Sequence, residues 1–407
     1  MTEVIVAVFA VVYLGMVLGG LPFLQLDRTG VALLGAIALI GIEAVSLEDA
    51  ARAIHLPTLI LLFAFMVVSA QMRLGGFYDW VTRRLAALPL APPLLMGALI
   101  AVVAGLAAVF SNDIVCLAVA PVLIDICARR RLNPLPFLLA LACAANVGSA
   151  ATLIGNPQNM LIGESLKLPF AGYLRDAALP VLAGLLVTWV AILLRGGALS
   201  AREVPVAGGD ATPEPALDRW QTAKGMAVAS AIVLCFLFTS WPREVVALTG
   251  AGVLLTSRKL HSRSMLGLVD WELLVLFMGL FVVNHALQQT GLPARWTADL
   301  AAAGIDLQHP GPLFAAAFVL SNVVSNVPAV MLLLPGADHA LAGLTLALAS
   351  TLAGNLFIVG SIANIIVVDA AARRGVAITW RQHARVGVPV TLASLAIAGG
   401  YLALRMG

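Results

Sequence analysis

Charged residues are scarce in this chain, and their scarcity excludes a soluble protein. Only 11% of the 407 residues are charged and 61% are hydrophobic, whereas soluble domains carry about 25% charged residues. The few basic residues lie in short loops and form no face that could bind nucleic acid. The composition therefore predicts a multi-pass protein embedded in a lipid bilayer, with no nucleic-acid partner.

Residue patterns of metal and nucleophile chemistry are also missing. The four cysteines, Cys116, Cys127, Cys143 and Cys235, lie in apolar stretches without the spacing of metal ligands, and we interpret them as small buried side chains. The sequence has no Ser-His-Asp or Cys-His arrangement of useful specificity. It therefore predicts no enzyme, no metal site and no cofactor.

Polar and helix-breaking residues interrupt the apolar sequence at matching places in its two halves. Each half has a Ser-Asn pair, which begins at Ser111 and at Ser325, and then a Gly-x-x-x-Asn motif, at 155–159 and at 360–364. At membrane depth such residues are tolerated only where the backbone lines a cavity or is buried in protein. Interruptions at corresponding places in two halves predict a substrate site at the midplane of a transporter built from repeats.

The positions of lysine and arginine predict how the two halves are oriented. Basic residues, expected on the cytoplasmic side, flank the apolar stretch 92–127 at both ends, so this stretch should form a re-entrant hairpin with its tip near Asn112. No Lys or Arg lies between Arg295 and Arg373, so a second hairpin, with its tip near Asn326, should open to the outside. The prediction is an all-α polytopic membrane protein with an inverted repeat, about ten transmembrane crossings, two opposed re-entrant hairpins and two broken helices.

These patterns also predict the boundaries of the repeats. The first repeat spans 1–194 and the second spans 223–407, and residues 195–222, which are rich in Gly, Pro and charge, form a cytoplasmic linker. The hairpins lie near 92–127 and 312–335, and the broken helices lie near 135–162 and 341–368. The first apolar segment has no positive leader or cleavage site, which indicates a retained helix. We expect the protein in the cytoplasmic (inner) membrane, with both termini on the outer side.

The candidate binding residues are small polar side chains at the tips and breaks, together with the glycines and prolines that interrupt the helices. Hydroxyl and amide groups can cap the exposed helix ends and contact a solute, while Gly and Pro permit the break itself. An alternative is that these small residues only hold helices together. The candidates are Ser111, Asn112, Asp113, Asn146, Ser149, Thr152, Gly155, Asn156, Pro157, Asn159, Ser325, Asn326, Pro328, Asn355, Gly360, Ser361 and Asn364.

Asp113 and His285 are the candidates for coupling transport to protons. Asp113 is the one acidic residue predicted at the midplane, where ionisable groups are costly and usually functional. The alternative is an ordinary acid in the first turn of a helix. No Lys or Arg lies near either motif, so a neutral or weakly charged solute fits better than a dianion. H⁺ is the expected coupling ion, and Na⁺ is the alternative.

The interrupted segments resemble the ion-transporter superfamily, which includes the ArsB arsenite exporters, the NhaD sodium/proton antiporters and the divalent anion–sodium symporters. The resemblance is most specific to the ArsB-like branch that holds plant silicon efflux transporters and YbiR-type permeases. That branch shares the Asn-Asp tip at Asn112, the Gly-Asn-Pro-Gln-Asn break from Gly155, and the second break from Gly354 to Asn364. The resemblance implies an elevator-type carrier whose scaffold often forms a homodimer.

Two departures from the superfamily narrow the expected function. Its sodium symporters repeat Ser-Asn-Thr at both tips, whereas this chain has Asp113 and Val327 as the third residues, which disfavours a two-sodium mechanism. Its arsenite exporters carry an acidic and a basic residue in the second break, where this chain has Leu356 and Phe357. The leading prediction is proton-coupled efflux of a small neutral oxyacid, of the arsenous or silicic acid type. The alternative is a sodium-coupled anion or dicarboxylate carrier, or a sodium/proton antiporter.

Overall fold

The computed structural model describes residues 1–21, 24–200 and 217–406. The middle of the linker predicted at 195–222 therefore lies outside the described residues. Two short strands, Gly20–Leu21 (β1) and Leu26–Asp27 (β2), pair antiparallel, with Gly20 opposite Asp27. Nearly all other regular structure in the described residues is helical.

Ten α-helices are described in the first half of the chain. They are α1 (Thr2–Leu18), α2 (Arg28–Gly41), α3 (Leu47–Ala53), α4 (Leu56–Leu74), α5 (Phe77–Ala86), α6 (Pro92–Val109), α7 (Asn112–Arg129), α8 (Pro134–Ser149), α9 (Pro157–Ser165) and α10 (Phe170–Arg195).

Ten α-helices are also described in the second half. They are α11 (Arg219–Phe238), α12 (Arg243–Leu255), α13 (Ser262–Leu266), α14 (Trp271–Gln289), α15 (Leu292–Ala302), α16 (Pro310–Val324), α17 (Asn326–Leu333), α18 (Ala342–Ala353), α19 (Ile362–Arg373) and α20 (Trp380–Met406). Two 3₁₀ turns, Leu334–Gly336 and Ile358–Gly360, follow α17 and precede α19.

The local sequence explains where several helices begin. The Asp27 carboxylate accepts a hydrogen bond from the Gly30 backbone N–H at 2.8 Å, and so caps α2. Asp270 caps α14 in the same way, accepting from Leu273 N–H at 2.9 Å. Such caps satisfy backbone donors that a helix leaves free at its N-terminus.

Six of the described helices are long and apolar enough to cross a membrane. Each has 18 or more residues: Leu56–Leu74, Pro92–Val109, Phe170–Arg195, Arg219–Phe238, Trp271–Gln289 and Trp380–Met406. Several shorter apolar helices accompany them. The fold is therefore that of a mostly helical membrane protein, as predicted; the crossing number of about ten stays a prediction.

The helices pack in two groups, and the packing within each group repeats. Helices α1–α4 and α11–α14 pack together and are called the frame; helices α6–α10 and α16–α20 pack together and are called the bundle. In the frame α2 packs on α14 and α12 packs on α4; in the bundle α6 packs on α8 and α16 packs on α18. Helices α2, α4, α6 and α8 thus correspond to α12, α14, α16 and α18. If each helix is replaced by its counterpart, the contact of α2 with α14 becomes that of α12 with α4, and the contact of α6 with α8 becomes that of α16 with α18.

Candidate transport site

Both Ser-Asn pairs lie at the junction of two helices. Helix α6 ends at Val109 and α7 begins at Asn112, while Ser325 alone separates α16 from α17. The predicted capping by Ser111 and Ser325 is wrong, because neither side chain makes a cap hydrogen bond. At the first tip the Asn112 backbone N–H instead bonds to the Gly155 carbonyl oxygen at 3.2 Å. At the second tip the Ser325 backbone has φ 80° and ψ 160°, outside the extended region that capping residues use.

The two predicted breaks separate α8 from α9 and α18 from α19. Asn156 caps α9, since its Oδ1 accepts from the Asn159 backbone N–H at 2.9 Å. Pro157 occupies the first helical position, where its missing N–H has no helical partner to lose. Thr152, within the first break, donates its hydroxyl to the Ala108 carbonyl oxygen at 2.5 Å, which ties the break to the first hairpin.

The final asparagine of each Gly-x-x-x-Asn motif holds its own break together. Asn159 Nδ2 donates to the carbonyl oxygens of Thr152 at 2.9 Å and Ser149 at 3.4 Å. Asn364 Nδ2 donates to the equivalent carbonyls, of Phe357 at 3.1 Å and Gly354 at 2.8 Å. Buried carbonyls that leave a helical ladder need such partners, so both asparagines are structural parts of the site.

Asn146 connects the first tip with the second break. Its Oδ1 accepts from Asn112 Nδ2 at 3.2 Å and from the Ser361 hydroxyl at 2.8 Å. Its Nδ2 donates to Asn355 Oδ1 at 2.8 Å and to Asn364 Oδ1 at 3.0 Å. All five side chains are buried. One amide thus joins predicted site residues from both halves of the chain.

Thr351 has the corresponding position in the second half, and the sequence reasoning missed it. Its hydroxyl oxygen accepts from Asn156 Nδ2 and Gln158 Nε2, both at 3.2 Å, and its hydroxyl donates to Asn159 Oδ1 at 3.3 Å. Aligning the two motifs would have found it, because Thr351 follows Asn146 by the same 205 positions that separate Gly155 from Gly360. Asn146 of the first half therefore bonds to the second break, and Thr351 of the second half bonds to the first break.

Tyr173 and His383 support the breaks and were also missed. The Tyr173 hydroxyl donates to the Ala150 carbonyl oxygen at 2.8 Å, and the Nε2 of His383 bonds to the Asn355 carbonyl oxygen at 3.0 Å. Each is the fourth residue of the last helix in its half, and the two carbonyls occupy equivalent positions. The same support is made by different side chains, which hides the equivalence from a motif search.

Both hairpin tips carry an amide oxygen that the described residues leave without a partner. Oδ1 of Asn112 and Oδ1 of Asn326 are buried and accept no hydrogen bond, and neither does Oδ1 of nearby Asn322. Unsatisfied buried acceptors are rare and call for an explanation such as a bound ligand or ion. Asp113 lies half-buried in the first turn of α7. Among the described residues it has no hydrogen-bond or ion-pair partner.

His285 lies apart from this network. It bonds to Gln289 at 2.9 Å and lines a cavity of about 250 Å³ between the frame and the bundle. His55 lines the same cavity, just before α4. Burial lowers the pKa of His55, and Lys167 lowers it further against an opposing effect of Glu244. Pro328, another predicted site residue, uses its carbonyl oxygen to accept from the Tyr13 hydroxyl at 3.4 Å.

Gly155→Ala should damage the site much more than Gly360→Ala, although the two glycines are equivalent. A Cβ at Gly155 would lie 2.7 Å from Ser149 Cα and 2.8 Å from the Ala107 carbonyl oxygen, both backbone atoms that cannot rotate away. At Gly360 the nearest atom would be the Gly354 oxygen at 3.2 Å. We expect Gly155→Ala to lower the melting temperature and to reduce the free energy of unfolding by about 1–3 kcal/mol. Equal melting temperatures of the two purified variants would contradict this.

Long apolar helices around a buried polar network, with two broken helices meeting in it, define a membrane transporter. Residues 9–353 match the family described as CitMHS, citrate transporter, and the chain belongs to this family. The silicon efflux transporter LSI3 of rice is 32% identical, over 96% of this chain and 95% of its own length. Inner membrane protein YbiR of Escherichia coli is 30% identical, over 81% of this chain and 83% of its own length.

A solved structure shows the same fold at low sequence identity. The YdaH transporter of Alcanivorax borkumensis aligns with a TM-score of 0.56 and 13% identity, covering 100% of this chain and 98% of that one. The family and its relatives confirm the resemblance to the ion-transporter superfamily and its ArsB-like branch. They also confirm that the protein is a membrane transporter and not an enzyme.

Proposed function

We propose that the protein is a secondary active, elevator-type carrier that exports a small neutral oxyacid, of the arsenous or silicic acid type, in exchange for protons. The observation that carries this proposal is the chemistry of the network around Asn146. It consists of amides and hydroxyls, it leaves amide oxygens free at both tips, and it contains no Lys or Arg among the described residues.

The free amide oxygens suit a solute that donates hydrogen bonds. Arsenous and silicic acids are uncharged at neutral pH and carry several hydroxyl groups, which could donate to Asn112 and Asn326. A dianion would find no cationic side chain to offset its loss of hydration. Asp113 supplies a carboxylate in the first turn after the first tip, and we assign it the transported proton. LSI3, a relative that matches 96% of this chain, is named for silicon efflux.

The helix packing supports an inverted repeat with a moving bundle. Each helix contact within the frame or within the bundle has an equivalent contact between the corresponding helices of the other half. The contacts between frame and bundle have no such equivalents. Alternating access requires two rigid groups of helices that can pack against each other in more than one arrangement. From the positive-inside rule we propose that both termini lie on the outer side of the cytoplasmic membrane and that the first hairpin opens to the cytoplasm. A homodimer formed through the frame is part of the same proposal.

A sodium-coupled anion carrier is the second candidate. The observation that favours it is again the pair of free amide oxygens, because Na⁺, like other hard cations, prefers oxygen ligands. A bound Na⁺ at each tip would satisfy Asn112 and Asn326 and could hold an anion such as citrate. The two candidates differ in the ion gradient that drives transport.

Flux into liposomes that contain the purified protein tests the proposal. An acidic lumen without Na⁺ should drive uptake of arsenite or silicate, because protons leave as the neutral solute enters. A Na⁺ gradient at equal pH should drive none, and protein-free liposomes serve as the control. Sodium-dependent uptake of citrate without pH-driven uptake of either oxyacid would overturn the assignment. Counterflow of labelled solute that saturates would exclude a passive channel.

A further inference from the structure

A buried ion pair joins the bundle to the frame at one end of the molecule. Glu164 Oε1, at the end of α9 in the bundle, lies 2.8 Å from Arg243 Nε, at the start of α12 in the frame. Arg243 Nη2 also donates to the Gly163 carbonyl oxygen at 2.7 Å. Only 3% of the Glu164 side chain and 13% of the Arg243 side chain are exposed. Bundle and frame cannot separate here without breaking this pair.

The other half of the chain contains the same two charges at equivalent positions. Asp369 follows the motif asparagine Asn364 by five residues, as Glu164 follows Asn159. Arg28 is the first residue of α2, as Arg243 is of α12, and both helices continue with the sequence Arg-x-x-Val-Ala-Leu-x-Gly-Ala.

These equivalent charges do not meet. Asp369 bonds to Arg373 on its own helix at 2.8 Å, and 56% of its side chain is exposed. Arg28 donates from Nε to the Met16 carbonyl oxygen at 3.1 Å, and no described carboxylate pairs with it. A carboxylate and a guanidinium that could pair are therefore both held by local partners.

The surrounding helices show the same difference between the two ends. Helix α9 packs on α4, whereas α19 has no comparable contact with α14. Helix α5 packs on α7, and its Phe77 and Tyr78 rings contact the ring of Phe110, which follows α6 at the first tip. A cavity of about 410 Å³, lined by residues such as Pro293 and Met331, instead separates α15 from α17. At the positions of the two charge pairs, frame and bundle thus meet through α4 and α9 but not through α14 and α19.

We propose that Glu164–Arg243 and Asp369–Arg28 are alternative ion pairs, of which one forms as the other breaks when the bundle moves against the frame. The proposal rests on the proposed function, because an inverted repeat can reach its second arrangement by letting each half adopt the contacts of the other. Since packed interfaces are bistable, each pair would hold one end state.

A cysteine pair can detect the proposed second arrangement in the full-length protein. In a background with the four native cysteines replaced by alanine, Arg28→Cys with Asp369→Cys reports the proposed second pair. Glu164→Gln with Arg243→Gln removes the first pair without leaving a buried charge unpaired. This change should raise the 28–369 cross-linking yield about fivefold or more. A factor of about five is the lower limit of the coupling typically found between two sites.

A matched control lies within the bundle. Arg374 bonds to Asp125, and both residues belong to the bundle or its edge. Cross-linking of Asp125→Cys with Arg374→Cys should be equal in both backgrounds, which also shows that the variants are folded. A 28–369 yield that stays at background in both, while the 125–374 pair cross-links fully, overturns the exchange.

The flux assay separates this outcome from a failure of the proposed function. The same preparations are tested for pH-driven and for Na⁺-driven flux. A rise in 28–369 cross-linking in a protein whose transport is driven only by Na⁺ would refute the proposed coupling but support the ion-pair exchange. Active pH-driven flux without any 28–369 cross-link would support the function and refute the exchange.

Discussion

Asp113→Asn should abolish pH-driven accumulation of the solute while exchange between equal pools continues. The amide keeps the shape and the polarity of the carboxylate but cannot bind and release a proton. Asp113 lies in the first turn of α7, beside the tip asparagine Asn112, so a proton there can act directly on the binding site. Liposomes with an acidic lumen should then accumulate no labelled arsenite or silicate above the protein-free level, and counterflow at equal pH should persist.

The matched control for this variant is Asp306→Asn. Asp306 is an exposed acid that pairs with His309 at 3.5 Å and lies outside the network, so its loss should leave pH-driven flux intact. If Asp113→Asn retains full pH-driven flux, Asp113 is only a first-turn acid. His285, or a sodium ion at the tips, would then become the better candidate for coupling.

Asn146→Ala should weaken solute binding and destabilise the bundle. The substitution takes away the partner of four side chains at once: Asn112, Asn355, Ser361 and Asn364. A buried polar group left unpaired costs about 1–3 kcal/mol. If two of the four side chains stay unpaired when the solute binds, the added cost corresponds to a fall in solute affinity on the order of 10²-fold. Equilibrium binding of labelled solute to the detergent-solubilised protein measures this directly.

Asn133→Ala is the control within the same helix. Asn133 caps the start of α8 by accepting from the Leu135 backbone N–H at 3.1 Å, and its loss should cost about 1 kcal/mol of stability without changing affinity. Thr351→Val, at the position equivalent to Asn146, should weaken binding less, because Thr351 is bonded to three side chains at 3.2–3.3 Å. Unchanged affinity in Asn146→Ala would show that the network supports only the fold.

The sequence predicted the points of interruption because they depend on local chemistry. Proline, glycine and Ser-Asn pairs in an apolar helix disrupt the backbone wherever the helix packs, so the ends of α6, α8, α16 and α18 fall where the motifs predicted. Asn146 and Asn355 were also identified, because a buried amide in an apolar segment is conspicuous.

The partners of those residues were harder to predict, because they depend on which helices pack together. Tyr173 and His383 lie near the starts of their helices, where polar side chains usually reach solvent, and only the fold brings them to the breaks. The serine caps were predicted wrongly for a related reason: capping depends on the backbone conformation at the tip, which the residue type does not specify. His285, a titratable residue in an apolar helix, lies beside the cavity between frame and bundle, apart from the network around Asn146.

The two tips share a Ser-Asn sequence but should differ in local stability. Ser111 has an ordinary extended backbone, whereas Ser325 has φ 80° and ψ 160°, a region that costs a non-glycine residue about 1–3 kcal/mol. The helix that follows Ser325 has only 8 residues, against 18 at the first tip. Backbone amides around the second tip should exchange with deuterium first. The second hairpin should thus open by local unfolding more readily than the first, without any movement of the bundle against the frame.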